Sequence, residues 1–433
     1  MLRTLDLRGR PADAPLDLPR PDLGAEGPLQ QVRAILADVR HRGDEAVREL
    51  TERFDKVTLD TLRVPDAALE DALRAIPGDL REALSEARDA IWAFHAHRGT
   101  PPPPYERGGV EVTHLELPVD RAGVYAPGGL AKYPSSVLMT AVPAKVAGVA
   151  SVACCVPPGP GGELPVEILA AAALAGVDEV YRIGGAQAIG ALAYGTASVP
   201  KVDVIVGPGS RWVSIAQREV RGVVGVPAAF AGPSEVVVVA DDTTPTAWAA
   251  IDVIVQAEHG PDGLAWLVTW SEATAKAVAE EVGRLVARSP RRAETESTLA
   301  GGGYAVLTDG PEQAMAVANA IAPEHLELLV EGADRLLPLV RHAGAVFLGP
   351  RSPASVGDYL AGPSHVLPTF ATARFASVLG VEDFLRRVHA IRVTEAGMAR
   401  VAPHVAAIAT AEGLAAHAES VRLRLGQPTW SAP

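Results

Sequence analysis

Cysteine is scarce in this chain: there are two residues in 433, and they are neighbours, Cys154 and Cys155 in SVACCV. Adjacent thiols cannot cross-link distant parts of a fold, and in a strand their side chains point to opposite faces. Both are therefore expected to be packed and reduced, in a cytoplasmic protein. Positive charge is also short, with 39 Lys and Arg against 52 Asp and Glu and a net charge of −13. Phosphate contacts need clustered Lys and Arg, so no nucleic-acid partner is expected. Long apolar runs are missing too. The most apolar window, Ser136 to Val156, contains Pro143 and Lys145 and reads as a helix followed by a strand, so no membrane span is expected. The start, MLRTLDLRGRPADAP, holds no apolar core of signal-peptide length, and secretion is not expected. Short catalytic signatures are absent as well. There is no HExxH, CxxC or GxSxG, and no GxGxxG followed by an acidic residue about 20 positions on.

What is present is a globular composition, 48% hydrophobic and 21% charged, in a chain too long for one ordinary core. Residues 1 to 25 are rich in Pro, Asp and Leu and read as an extended arm of the kind that packs on another subunit. From Gly27 to Arg98 apolar residues recur at helical spacing. His95 and His97, two apart, point away from each other on such a helix and are read as surface or edge residues. Pro101 to Pro104 force an extended linker, and VEVTHLELP then reads as a strand.

Between Arg121 and Asp241 short β-branched runs alternate with Ala-rich helices, the βαβ pattern of a parallel sheet covered on both faces. Strands there end in glycine-rich turns, YAPGG at 125–129, IGGAQ at 183–187 and GPGS at 207–210. Ligands of such sheets sit beyond the carboxyl ends of the strands, and free backbone amides at helix starts can take a pyrophosphate. Turn glycines are also common without any ligand, so the reading rests on their occurrence in successive units. A second α/β segment begins at Pro245, where Thr243 or Thr244 can cap the helix, and a largely helical stretch follows from Val381.

Four stretches carry candidate chemistry. In VIVQAEHGPDG, Gln256 and His259 are one turn apart on a helix that stops at Gly260-Pro261, half of a possible metal site. In APEHLEL, Glu324 and His325 follow Pro323 at what reads as a helix start, and suit either acid–base work or a capping pair. Asp358 and His365 lie in a Gly/Pro-rich loop, where Asp358 is either a further ligand or an ordinary loop aspartate. In AGPSEV, Ser234 is better placed for a ligand hydrogen bond than for nucleophilic attack. The tail holds Glu412 and His417, whose spacing gives no reason to pair them.

Long stretches of this chain resemble the histidinol dehydrogenase family. GVYAPGGLAKYPSSVLMTAVPAKVAGV, GGAQAIGALAYGT, VPKVDVIVGPG, AGPSEV, QAEHGPDG, APEHLEL, GDYLAGPSHVLPT and VEDFL match that family's motifs in its order, over residues 123 to 385. The resemblance implies an α/β fold of two Rossmann-like segments with helix-covered parallel sheets. Residues 26–120 with 236–378 would form one domain and 121–235 the second, with the arm 1–25 and a helical tail 379–433 beside them.

It implies oxidation of L-histidinol to L-histidine, the last step of histidine biosynthesis, in two NAD-dependent steps with one Zn²⁺ per site. A relative on the same scaffold acting on another amine- or sulfonate-bearing alcohol is the alternative. The implied zinc ligands are Gln256, His259, Asp358 and, from the other subunit of a homodimer, His417. Glu324 and His325 would be catalytic, Ser234, His365 and Glu412 would contact substrate, and Tyr125, Gln187 and Ser210 would contact NAD. Two positions depart from the family pattern: Ser210 stands where Asn is usual after GPG, and TFATAR at 369–374 replaces glycines that many members carry.

Overall fold

Runs such as EVVVV, LAWLVT and GYAVL show no polar alternation, the mark of strands covered on both faces. The computed structural model buries every residue of these three runs. It describes residues 1–11, 16–20, 28–99, 102–128, 132–227, 232–260 and 263–430. In chain order the strands are β1 (Arg3–Asp6), β2 (Tyr105–Arg107), β3 (Val110–Pro118), β4 (Arg121–Tyr125) and β5 (Ser151–Val156). There follow β6 (Glu179–Arg182), β7 (Val204–Val206), β8 (Glu235–Val239) and β9 (Leu264–Thr269). The last four are β10 (Gly303–Leu307), β11 (His325–Leu328), β12 (Ala345–Leu348) and β13 (Leu385–Val393).

The chain divides into a larger unit, Met1–His97 with Val119–Phe384, and a smaller one, Arg98–Pro118 with Leu385–Pro433. The larger unit holds two parallel sheets, ordered β6-β5-β4-β7 and β1-β10-β9-β8-β11-β12. Side-chain alternation splits each sheet between two cores. In the four-stranded sheet Val124, Val152 and Cys154 face one core while Tyr125, Ala153 and Cys155 face the other. The two thiols therefore lie on opposite faces of β5, free and buried. The six-stranded sheet divides in the same way, with Val237, Trp266 and Val306 on one side and Val236, Ala265 and Ala305 on the other.

Helix Pro134–Ala147 covers β4 despite Pro143 in its interior. An interior proline costs about 3 kcal/mol or more. Burial of Val137, Leu138, Met139 and Val142 contributes about 1.5–3 kcal/mol each, which outweighs it. Proline also removes the N–H that the carbonyl of Met139, four residues earlier, would accept. The hydroxyl of buried Ser364 donates to that carbonyl instead, at 3.0 Å. A helix defect thus anchors the loop that presents the next residue, His365.

In the smaller unit β13 pairs antiparallel with β3, and β3 with β2. Residues 385–393 are thus a strand in a stretch that reads as helical, and their partner is 110–118. Helices Glu395–Ala411 and Ala415–Arg424 pack through Ala406, Ala409 and Ala418. Thr394 caps the first of them by accepting the N–H of Gly397. Elsewhere, neither Thr243 nor Thr244 caps helix Thr246–Val255; both bond Asp241 in the turn before it. His95 is buried on helix Gly78–Ala96, not a surface or edge residue, and burial lowers its pKa. Among the described residues no helix is long and apolar enough to cross a membrane.

Ser364→Ala should cost about 1–3 kcal/mol by leaving a buried carbonyl unpaired. Adding Pro143→Ala, which restores the helical N–H, should recover part of that loss in urea midpoints. A double variant no more stable than Ser364→Ala would show that the proline is not the reason for the bond.

Candidate active site

Glu324 and His325 lie where a helix ends and a strand begins. Helix Pro311–Ile321 stops at Ala322, which adopts a left-handed conformation (φ 51°), and Pro323 cannot continue it. Glu324 therefore leads into β11, which His325 opens, instead of starting a helix, and Glu324 Oε2 stands 3.7 Å from His325 Nδ1. The Glu324 carbonyl accepts the N–H of Ala345 at 2.9 Å, and a Cβ on Gly344 would sit 2.6 Å from that oxygen, so glycine is needed for the close approach.

Glu235, the first residue of β8, holds both groups through its backbone. Its N–H donates to Glu324 Oε2 at 3.0 Å, and its carbonyl lies 3.3 Å from His325 Nδ1. The other ring nitrogen of His325, Nε2, is 3.2 Å from Asp358 Oδ1. Asp358 sits on a short helix, Ala354–Tyr359, rather than in an irregular loop, and its second oxygen accepts the Gln256 amide at 3.4 Å. Gln256 Oε1 is left buried without a hydrogen-bond partner among the described residues. Burial pushes the Glu324 carboxyl up to about 7, opposed by His325 and by the Glu235 N–H. For His325 burial works downward, but Glu324 and Asp358 outweigh it, and the imidazole lies above its ordinary value.

Seven of the residues singled out from sequence line one cavity of about 540 Å³: Ser210, Ser234, Gln256, Glu324, His325, Asp358 and His365. His365 gives its Nδ1–H to the Asp358 carbonyl at 2.9 Å, which leaves Nε2 to face the Ser136 hydroxyl at 3.3 Å. Tyr125 and Gln187 line an adjoining cavity of about 970 Å³ together with Ser210. The two spaces share Pro127, Gly128 and Ser210. The Tyr125 hydroxyl accepts the N–H of Gly185 at 3.1 Å, and Ser210 precedes helix Arg211–Glu219 without capping it. Gly207 turns at φ 112°, where a Cβ would fall 2.1 Å from the Tyr125 carbonyl, so the GPGS turn depends on glycine there.

Gln256 and His259 do belong to one helical turn after helix Thr246–Val255, but the His259 side chain lies outside the described residues, as do Gly129, Pro261 and Asp262. Glu412 and His417 belong to the smaller unit, where both are exposed. Among the described residues no three His, Cys, Asp or Glu side chains converge as a metal cage.

Sequence reasoning missed a buried carboxyl pair behind the site. Glu327, two residues past His325, accepts the N–H of Ala354 at 3.3 Å, and burial raises both Glu327 and its neighbour Asp252 on helix Thr246–Val255. The contact between these two side chains ties together the helix leading to Gln256, the strand of His325 and the helix of Asp358. The signal was a charge within the apolar runs AIDVIV and HLEL. Ser136 and Glu235 were missed as well, each within a motif that stands out for other residues.

The Histidinol dehydrogenase family model matches residues 18–425. A histidinol dehydrogenase from Synechococcus sp. is 50% identical over 398 residues, 91% of each chain. One from Thermobifida fusca is 45% identical over 429 residues, 98% of each chain. The crystal structure of histidinol dehydrogenase from Elizabethkingia anophelis superposes with a TM-score of 0.92 at 33% identity, over 98% of each chain. With the family model matched over residues 18–425 and relatives matched nearly end to end, the chain belongs to the histidinol dehydrogenase family.

Proposed function

We propose that the protein is a zinc-dependent enzyme that oxidises L-histidinol to L-histidine in two NAD-dependent steps, as a cytoplasmic homodimer. The observation that carries this reading is the junction of the two cavities. The one with Glu324, His325 and Asp358 opens at Ser210 onto the one with Tyr125 and Gln187. A substrate carbon in the first space is thereby set against a nicotinamide in the second, the proximity that hydride transfer requires. Residues 121–235 would serve as the cofactor-binding domain.

The donor set suits a metal. The buried, unpartnered Gln256 Oε1 beside the Asp358 carboxylate supplies two oxygens that want a cation. His259 and His417 of the partner subunit would add two imidazoles, a mixed O/N set compatible with zinc. Bound there, zinc would orient the imidazole and amine nitrogens of histidinol.

His325 gives Nδ1 to the Glu235 carbonyl, which leaves Nε2 as the ring's base. It takes the alcohol proton as a hydride leaves the carbinol carbon for NAD, giving the aldehyde. Glu324 then removes a proton from water as the oxygen adds to that carbonyl, forming the anion of the hydrated aldehyde, with one hydroxyl and one oxyanion. His325 takes the remaining hydroxyl proton as the second hydride departs, and the carboxylate results. The balance is one histidinol, two NAD and one water giving histidine, two NADH and three protons. Ser234, His365 and Glu412 would contact the substrate's polar groups. Ser210 offers one hydroxyl where an amide would offer a donor and an acceptor, so its hold on the cofactor rests on a single group.

Metal removal should abolish turnover, and zinc should restore two NADH per histidinol; full turnover of the chelated protein would exclude the zinc role. Glu324→Gln should keep the first oxidation and slow the second by about 100-fold or more, read as NADH from histidinol against NADH from the aldehyde. Equal loss of both steps would contradict the division of labour. Glu324 must be ionised to act as a base, and its carboxyl is pushed up to about 7. Aldehyde oxidation should therefore rise with pH through about 7 and level off above it. A profile flat from about pH 5 to about pH 9 would sink that role.

A further inference from the structure

The chemistry above uses only the backbone of Glu235, yet its side chain is fully buried directly behind Glu324. We propose that Arg20 and the Glu235 carboxylate form a positioning pair that fixes the ends of β8 and β11 from behind, and so sets the placement of Glu324 and His325. The inference rests on the reading of those two as the reacting groups.

Arg20 joins three segments. Its Nη1 lies 3.3 Å from Glu235 Oε1, and its Nη2 donates to the carbonyl of Ile321, the last residue of helix Pro311–Ile321. Its guanidinium also stands 5.6 Å from the centre of the Phe370 ring. The final carbonyls of a helix have no internal donor, and a cation there is favoured by the helix dipole. Two arginines divide those carbonyls between them, Arg374 taking Asn319 and Ala320 while Arg20 takes Ile321. Glu324 follows Ile321 by three residues, so the bond that ends the helix also places the carboxylate.

The second oxygen of Glu235 accepts the N–H of Phe370 at 3.1 Å, and the carboxylate also accepts the N–H of Ala371. Both residues are left-handed, at φ 53° and 63°, a conformation that costs a non-glycine residue about 1–2 kcal/mol. This is the TFATAR stretch, where the family pattern would allow glycines. Two N–H groups aimed at one carboxylate, with Arg20 opposite, offset the strain and close the wall behind the site. A bare carboxyl buried at this point would have no cation near it, since the other charged group facing it is Glu324. Removing either partner therefore disturbs a peptide unit that both reacting groups touch.

A double-mutant cycle on the full-length, zinc-loaded protein tests the pair, with kcat and KM for histidinol and NAD as readouts. Arg20→Met and Glu235→Gln should each lower kcat by about tenfold and leave the KM for NAD within about twofold, because the cofactor cavity is untouched. Combined, they should lose no more than the worse single variant, since they break one interaction. Arg20→Lys should recover part of the rate, because a single ammonium meets Glu235 but cannot fork to Ile321 as well.

A wild-type kcat in Arg20→Met, losses that multiply in the double variant, or a loss confined to KM would each overturn the proposal. If Arg20→Met does not fold, the Arg20→Lys rate decides: wild-type turnover overturns the proposal, and an intermediate kcat with unchanged NAD KM supports it. Glu324→Gln is measured alongside. If that variant also turns over normally, the assignment of the reacting pair has failed. If only the Arg20 variants are normal, the pair's placement is independent of Arg20.

Discussion

One peptide segment of β8 governs the site. The N–H of Glu235 binds the carboxylate of Glu324 and its carbonyl faces the ring of His325, so the relative placement of acid and imidazole is the register of β8 against β11. That register is parallel and pairs His325 with Val236, with strands fully buried on both sides. A slip of one residue would turn every apolar side chain to the wrong core, at a cost far above any single hydrogen bond. Precision at the site is therefore inherited from the packing of Val236 to Val239 and of Leu326 and Leu328.

The two sheets of the larger unit contribute opposite ends. The four-stranded sheet offers the carboxyl ends of β4, β6 and β7, where glycine turns and Tyr125 line the larger cavity, as expected for a parallel sheet. The six-stranded sheet offers the amino ends of β8 and β11, and Gln256 from the turn that precedes β9. Ligands rarely sit at that end, because the switch-point crevice lies at the other. Here the amino ends are usable because Pro323 and the glycines at 232 and 344 let three chains approach closely before the strands begin. A Cβ at Gly232 would lie 2.6 Å from that of Phe370.

Much of this was legible in the residues. Uninterrupted apolar runs announced buried parallel strands, whereas spacing gave no reason to join Gln256, Glu324, His325 and Asp358; the resemblance of their motifs to one family joined them, and they line one cavity across more than a hundred positions of sequence. What was not legible depended on contacts between distant segments. His95 is the exception, because it continues the stripe of Leu84, Ala87 and Ile91 at helical spacing, a mark of burial present in the residues themselves. Residues 385–393 form a strand by pairing with 110–118, a partner far away in sequence, and the order of apolar and polar residues in LRRVHAIRV does not exclude a helix. Glu324 and His325 were expected to start a helix because proline favours the first helical turn; the left-handed Ala322 before that proline reversed the outcome.

The electrostatics explain why so much acid is buried in one place. Glu235, Glu324, Glu327 and Asp252 all sit in apolar surroundings that raise their carboxyls, and like charges nearby raise Glu235 and Glu327 further. Four ionised carboxylates could not coexist there, since each would carry an uncompensated desolvation cost of several kcal/mol. The arrangement is tenable because the four are treated differently. Glu327 and Asp252 are raised by burial and contact each other as a strut, and Glu235 faces Arg20 and two backbone N–H groups. Glu235 and Glu324 are both raised to near neutrality, to about 8 and about 7, but Glu324 is the one of the two with a histidine beside it, which suits it to taking a proton from water and releasing it again. Under the proposed mechanism the chemistry falls to one carboxylate while the other three are paired with each other or with Arg20.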